Sequence, residues 1–176
     1  AALDADIQQL LTRWKNLSIK LSEKYKNKIK VNNSDILTFN ENKLCKEKIV
    51  IFGNLPYNIS VPVLLHFLET FPSIKKGLVM VQSEVAHRLA AKPGGKDYGS
   101  PSLKMAWYGP TRLAGNIGRN VFWPAPNVDS ALVYFERSIE REQDRKRVFA
   151  VIDAAFGQRR KTLRQALSSW AGSPSM

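Results

Sequence analysis

The sequence predicts an α/β protein built on a largely parallel sheet, and three observations predict it. Strands and helices alternate along the chain, the run Ile49 to Phe52 is apolar and β-branched as in a strand covered on both faces, and "KGLVMVQ" has the same character further on. At 176 residues and 44% hydrophobic content, the chain suits one globular domain with a small appendage and is not expected to be disordered.

Taken in order, "AALDAD" reads as the end of a strand and "IQQLLTRWKNLSIKLSEKYKN" as a helix. "KIKVNNSDIL" reads as a strand leaving through a polar turn, and "EKIVIFG" as the next strand, ended by the breaker Gly53. Ser60 is expected to cap a helix through Glu69, with Pro62 tolerated in its first turn and Leu64, Leu65, Phe67, Leu68 and Phe71 forming its apolar face. After the strand "KGLVMVQ", Ser83 and Glu84 open the short helix "EVAHRLAA". "KPGGKDYGSPS" is a surface loop, and "TRLAGNIGR" and "SALVYFER" are two late strands flanking "NVFWPAPNVD". Beyond Glu140 a charged amphipathic region begins, so residues 1–138 form one domain and 139–176 the start of a small helical one. Composition also changes along the chain, from Lys, Asn and Ile between Lys15 and Ile51 to Arg, Ala, Gly and Pro later, a shift for which the residues give no physical reason and which does not by itself establish a mosaic origin.

Lys and Arg number 27 against 15 Asp and Glu, a formal charge of +12, which favours a polyanionic partner, nucleic acid or an anionic membrane, over a merely soluble basic protein. A single cysteine excludes an internal disulfide framework, points to a reducing compartment and, with two histidines, leaves no zinc-ligand set. No apolar run approaches the roughly 20 residues of a membrane span, and the start of the chain has no signal-peptide pattern. His66, His87 and Cys45 read as structural or solvated residues.

The chemistry gathers at strand ends. Asp4, Asp35 and Asn54 each follow a predicted strand, the edge at which open α/β sheets bind ligands, and an acidic residue there is how nucleotide-binding sheets hold ribose hydroxyls. Each Asp alone is more commonly a solvated turn or cap residue, but their recurrence points to an adenosine-type ligand. Asn54-Leu55-Pro56-Tyr57 is more specific. Pro56 fixes its own φ and pushes Leu55 into an extended conformation, which stiffens the turn and its carbonyls. The Asn54 amide oxygen with a turn carbonyl can accept both hydrogens of a planar exocyclic amine, while the Tyr57 ring offers a face for a base. The other reading is a tight turn, with Pro for rigidity and Tyr for packing.

"NLPYNIS" together with "VFWPAPNVDSALV" resembles the ribosomal RNA adenine dimethyltransferase family of the KsgA type, which has an Asn-Leu-Pro-Tyr motif and a later Phe-x-Pro-x-Pro-x-Val-x-Ser segment. "VQSEVAHRL", Tyr98-Gly99 and "AAFGQRRKTLRQAL" extend the resemblance over nearly the whole chain. It implies a Rossmann-like methyltransferase sheet followed by a small helical domain. It also implies S-adenosylmethionine as donor and two successive methyl transfers to the exocyclic amine of adenosines in small-subunit rRNA, in the cytoplasm, by a monomer engaged in ribosome biogenesis. Asp4 then corresponds to the ribose binder, Asp35 with Ile36 to the adenine contact, and Asn54 to a residue touching both cofactor and target base. Phe122 is expected to sandwich the target adenine opposite Tyr57, with Pro124 and Pro126 stiffening its loop, and Trp123 either stacks on a neighbour or packs, packing being the commoner role for its type. The reaction needs no metal and no covalent enzyme intermediate, only positioning of an unstacked base. Arg159, Arg160, Lys161 and Arg164, at helical spacing, are expected to track phosphates. The related erythromycin-resistance methyltransferases, acting on large-subunit rRNA, usually have Ile where this chain has Leu55 and rank second. A catalytically inactive rRNA-binding assembly factor is the remaining alternative.

The family's glycine-rich cofactor loop belongs before Asp4, where only Ala1 to Leu3 stand. The chain is therefore expected to be a piece of a longer enzyme, with a sheet incomplete at its N-terminus and an exposed strand edge.

Overall fold

The computed structural model describes residues 2–25, 28, 29, 32, 34, 35, 39, 48–138, 143–158 and 161–172. They belong to two units, Ala1–Asn40 and Glu41–Met176. In the first unit, helix α1 runs over Ala2–Lys24. The strand end expected at Asp4 is overturned, because Asp4 lies in the first turns of this helix. The stretch "AALDAD" contains no β-branched residue; its Ala and Leu are strong helix formers, and acidic residues suit the positive end of a helix dipole. Of the strand expected over residues 28–37, only Lys28, Ile29, Asn32, Ser34 and Asp35 are described, and none of them is in a strand.

The second unit is organised by a four-stranded sheet of β1 (Ile49–Asn54), β2 (Ile74–Gln82), β3 (Thr111–Ile117) and β4 (Ser130–Glu136) in the order β1-β2-β4-β3. Strand β1 runs parallel to β2, with α2 (Ser60–Thr70) as the crossover between them. The ladders β2–β4 and β4–β3 are antiparallel, so the described sheet is mixed and not largely parallel. The reason is connectivity: β3 and β4 are joined by a direct return through residues 118–129 with no crossover α-helix, and such a return imposes antiparallel pairing.

One face of the sheet carries the core. Val79 opposes Val133, Val81 opposes Ala131, and all four are at most 1% exposed. Gly77 lies under the Phe135 ring, where an added Cβ would stand 2.5 Å from Phe135 Cζ, so only glycine lets that ring close over the strand. Helix α2 contributes Val63, Leu64 and Leu68 to this core. Ser60 is the first residue of α2 and not its cap; its hydroxyl donates to the Tyr57 carbonyl at 3.4 Å. Burial of β1 on both faces is also overturned, since Val50 is 44% and Phe52 78% exposed. Among the described residues β1 is an edge strand, and period-2 alternation sends these two side chains to its open face.

Helix α3 (Ser83–Leu89) follows β2 directly. The end of the expected surface loop is helical instead, opening α4 (Ser100–Tyr108). The Ser102 hydroxyl accepts from Gly99 N–H at 3.1 Å and donates to the Arg88 carbonyl at 2.6 Å, and Pro101 suits a first turn that has no use for its missing N–H. Helix α5 (Arg145–Gly157) is capped by Asp144, whose carboxylate accepts from Lys146 N–H at 2.9 Å. It packs on α4 through Phe149, edge-on to Trp107 and Tyr108, and through Asp153, which accepts from Ser100 Oγ at 2.9 Å. Helix α6 (Leu163–Ala171) begins at a Thr162–Gln165 capping box. No described helix is long and apolar enough to cross a membrane.

Candidate functional site

The site is built where β1 ends. The strand does not stop at Gly53: Asn54 still pairs with Met80 of β2, and Leu55 N–H donates to the Met80 carbonyl at 3.1 Å. Leu55 then turns into the core at 6% exposure, which anchors the turn from inside. Pro56 leads into a tight turn closed by Ile59 N–H donating to its carbonyl at 3.2 Å. The Pro56 and Tyr57 carbonyls are thus both engaged within the protein. Tyr57 is half-buried, and its hydroxyl lies 2.5 Å from Ser130 Oγ, a fully buried group at the start of β4. This bond fixes the ring at its far end.

The connection from β3 to β4 supplies the opposite wall. A single 3-10 turn, Arg119–Val121, is closed by Phe122 N–H donating to the Arg119 carbonyl at 3.2 Å. Asp129 ties the two ends of this connection to the body: its carboxylate accepts from Arg119 N–H at 3.1 Å, and its carbonyl accepts from Ser83 N–H at 2.9 Å. Phe122, Pro124 and Pro126 thereby face Asn54, Leu55, Pro56, Tyr57 and Met80 across one cavity of about 370 Å³. Its walls are aromatic and proline surfaces with one uncharged amide, that of the exposed Asn54, at the strand end. Such a space takes a flat, largely apolar group and offers its edge a hydrogen-bonding partner.

Five of the sequence-predicted site residues, Asn54, Leu55, Pro56, Tyr57 and Phe122, therefore meet at one place although they come from two connections far apart in the chain. Asp4 is in α1 and Asp35 is an exposed residue of the first unit. Ile36, Arg159 and Arg160 lie outside the described residues. The continuous helical spacing expected for the basic cluster is broken, because α5 ends at Gly157 and α6 begins after the Thr162 cap. Lys161 is thus in the connection and Arg164 in the first turn of α6, both exposed.

Sequence reasoning missed Met80 and Ser130. Ser130 was visible as the last residue of "FWPAPNVDS", and Met80 follows only from the β1–β2 register. Of the two roles expected of Trp123, packing is overturned, because the side chain is 98% exposed. A larger cavity, about 610 Å³, lies at the loop after α3, where Lys92, Lys96 and Arg112 line it.

Residues 12–174 match the model of the ribosomal RNA adenine dimethylase family. Among curated relatives, the ribosomal RNA small subunit methyltransferase A of Streptomyces griseus is 65% identical over 126 residues, covering 70% of this chain and 43% of that protein. The protein of the same name from Paenarthrobacter aurescens is 64% identical over 127 residues, covering 71% of this chain and 43% of that protein. The chain spans less than half the length of the curated relatives it matches. In fold it is similar to a dimethyladenosine transferase from Plasmodium falciparum, with a TM-score of 0.70 at 23% identity, over 85% of this chain and 54% of that one. It is likewise similar to the 23S rRNA methyltransferase ErmE, with a TM-score of 0.66 at 24% identity, over 88% and 63% of the two chains. The mixed sheet flanked by helices thus shares the fold of these two structures. With its Asn-Leu-Pro-Tyr turn and Phe122 connection closing on one cavity, and with 12–174 matched by a single family model, the chain belongs to the ribosomal RNA adenine dimethylase family.

Proposed function

We propose that this chain is part of an enzyme that transfers two methyl groups in succession from S-adenosylmethionine to the exocyclic amine of adenosines in small-subunit rRNA. The small-subunit reading is favoured over the large-subunit one by the names of the relatives that are 65% and 64% identical. The observation that carries the chemistry is the convergence of Asn54, Tyr57 and Phe122 on one cavity.

In this reading the adenine enters edge first, its ring between Phe122 and Tyr57, and its amine reaches Asn54. The cost of unstacking the base, a few kcal/mol, is offset by these aromatic faces. The Asn54 amide oxygen accepts a hydrogen of the amine, together with a backbone carbonyl of the turn. That fixes the amine's orientation and draws its lone pair out of conjugation with the ring. The exposed amide at the end of β1 fits a cofactor on its other side, and S-adenosylmethionine supplies there an electrophilic methyl carried by a sulfonium. The chain's own residues act by positioning, and a well-aligned pair of reactants needs little further help. Asp35, with Ile36, is the candidate adenosine contact for that cofactor. Lys161 and Arg164, with Arg159 and Arg160, are candidate phosphate contacts of a helical RNA-binding region over 139–176, and would make binding salt-sensitive. The protein acts in the cytoplasm, as a monomer, on rRNA or on small subunits under assembly.

The test is nucleoside mass spectrometry of small ribosomal subunits lacking the modification, after incubation with the protein and S-adenosylmethionine. Dimethyladenosine is expected with the whole enzyme of which this chain is part, and Asn54→Ala in it should lower the rate by roughly a hundredfold or more while RNA binding persists. Absence of dimethyladenosine with that whole enzyme, or full activity in its Asn54→Ala form, overturns the reading.

A further inference from the structure

We propose that Trp123 is a stacking platform for the base adjoining the one held in the cavity. The inference rests on the proposed function for the identity of the cavity's occupant. Its evidence is separate. Tryptophan carries one of the largest apolar surfaces of any side chain and is normally well buried, yet Trp123 is 98% exposed. Its two chain neighbours, Phe122 and Pro124, both line the cavity, and Trp123 does not. The indole therefore stands outside the cavity, on the connection whose Phe122 and Pro124 line it.

Its position is held by the backbone. The turn before it is closed by Phe122 N–H on the Arg119 carbonyl at 3.2 Å, and Asp129 fixes that turn through Arg119 N–H at 3.1 Å. A large ring exposed on a tethered connection loses little entropy when it binds, which is what makes aromatic residues effective contact surfaces. Withdrawing one base into a cavity also leaves its strand neighbour without a stacking partner on that side. An indole exposed on that connection replaces the lost stack, and every base has a face to offer it. The exposed Arg119 in the same connection and the formal charge of +12 favour a polyanionic strand there over an apolar protein surface.

The experiment uses a hairpin RNA whose loop is a single adenosine flanked by uridines, and the same hairpin with either neighbouring uridine replaced by an abasic site. Affinity is read by fluorescence anisotropy for the unaltered chain, Trp123→Ala and Trp123→Phe. Trp123→Ala is expected to weaken binding of the intact hairpin roughly tenfold, and Trp123→Phe much less. One of the two abasic hairpins should bind the unaltered chain about as weakly as Trp123→Ala binds the intact one, and on that hairpin Trp123→Ala should have no further effect. Equal loss on intact and abasic hairpins, or no loss in Trp123→Ala, overturns the inference. Methylation of small subunits is judged separately: dimethyladenosine formed without this coupling sinks the platform alone, whereas coupling without dimethyladenosine sinks the methyltransferase reading and leaves the platform standing.

Discussion

The turn from Asn54 to Tyr57 sinks its apolar residue into the core, with Leu55 6% exposed, whereas the connection over 118–129 turns its largest side chain to solvent, with Trp123 98% exposed. The first is held by burial, by the Leu55–Met80 backbone bond and by the Tyr57–Ser130 hydroxyl pair. The second is held by backbone and carboxylate hydrogen bonds through Asp129, and its side chains are left for the cavity and the solvent. The contrast teaches that one wall of the site is part of the fold, while the other is mounted on it. Stability and function should therefore separate between the two walls.

Leu55→Ala should show the largest effect. Removing a buried Leu side chain forfeits its transfer free energy and leaves a cavity, about 2–5 kcal/mol in sum. The measurement is urea unfolding followed by circular dichroism. A loss under about 1 kcal/mol would mean that the turn is only mounted on the fold, like its counterpart, and the contrast would break.

Tyr57→Phe comes next and sharpens the same contrast. The ring remains for the base, but Ser130 Oγ, fully buried, loses its partner at 2.5 Å. Leaving a buried hydroxyl unpaired costs about 1–3 kcal/mol. Adding Ser130→Ala should recover part of that loss, because the pair is then removed together. Unfolding of the two variants checks this, and methyl transfer by Tyr57→Phe should fall far less than by Asn54→Ala.

The two walls also differ in how much of them could be read from the sequence. The first was legible because its signals are local: an apolar run ends, Pro56 stiffens the next residues, and Leu55 has a single reason to be apolar. The second was legible only through the resemblance of "VFWPAPNVDS", since a connection rich in Pro and Asn has no periodicity to read. Of its two expected roles, packing was preferred for Trp123 because most tryptophans are well buried, and nothing local in the sequence records its exposure. The sheet's mixed polarity depended on whether β3 and β4 are joined by a helix, and the helix at Ser100–Tyr108 lies before β3, hidden behind Gly and Pro. The strand end expected at "AALDAD" failed for a different reason: its alanines and leucine favoured α1.

Trp123→Ala should have the smallest effect on stability, and that smallness is informative. A side chain 98% exposed has almost no native apolar burial to lose, so its removal should move the unfolding free energy by no more than about 0.5 kcal/mol. Set beside a roughly tenfold loss of RNA affinity, such a null result would mean that the indole serves a partner and not the fold. Leu55 gives the opposite pattern, with stability lost and its contribution to the cavity wall lost along with it. If Trp123→Ala unfolded as readily as Leu55→Ala, the connection would be a structural element like the turn it faces, and the division between a folded wall and a mounted one would not hold.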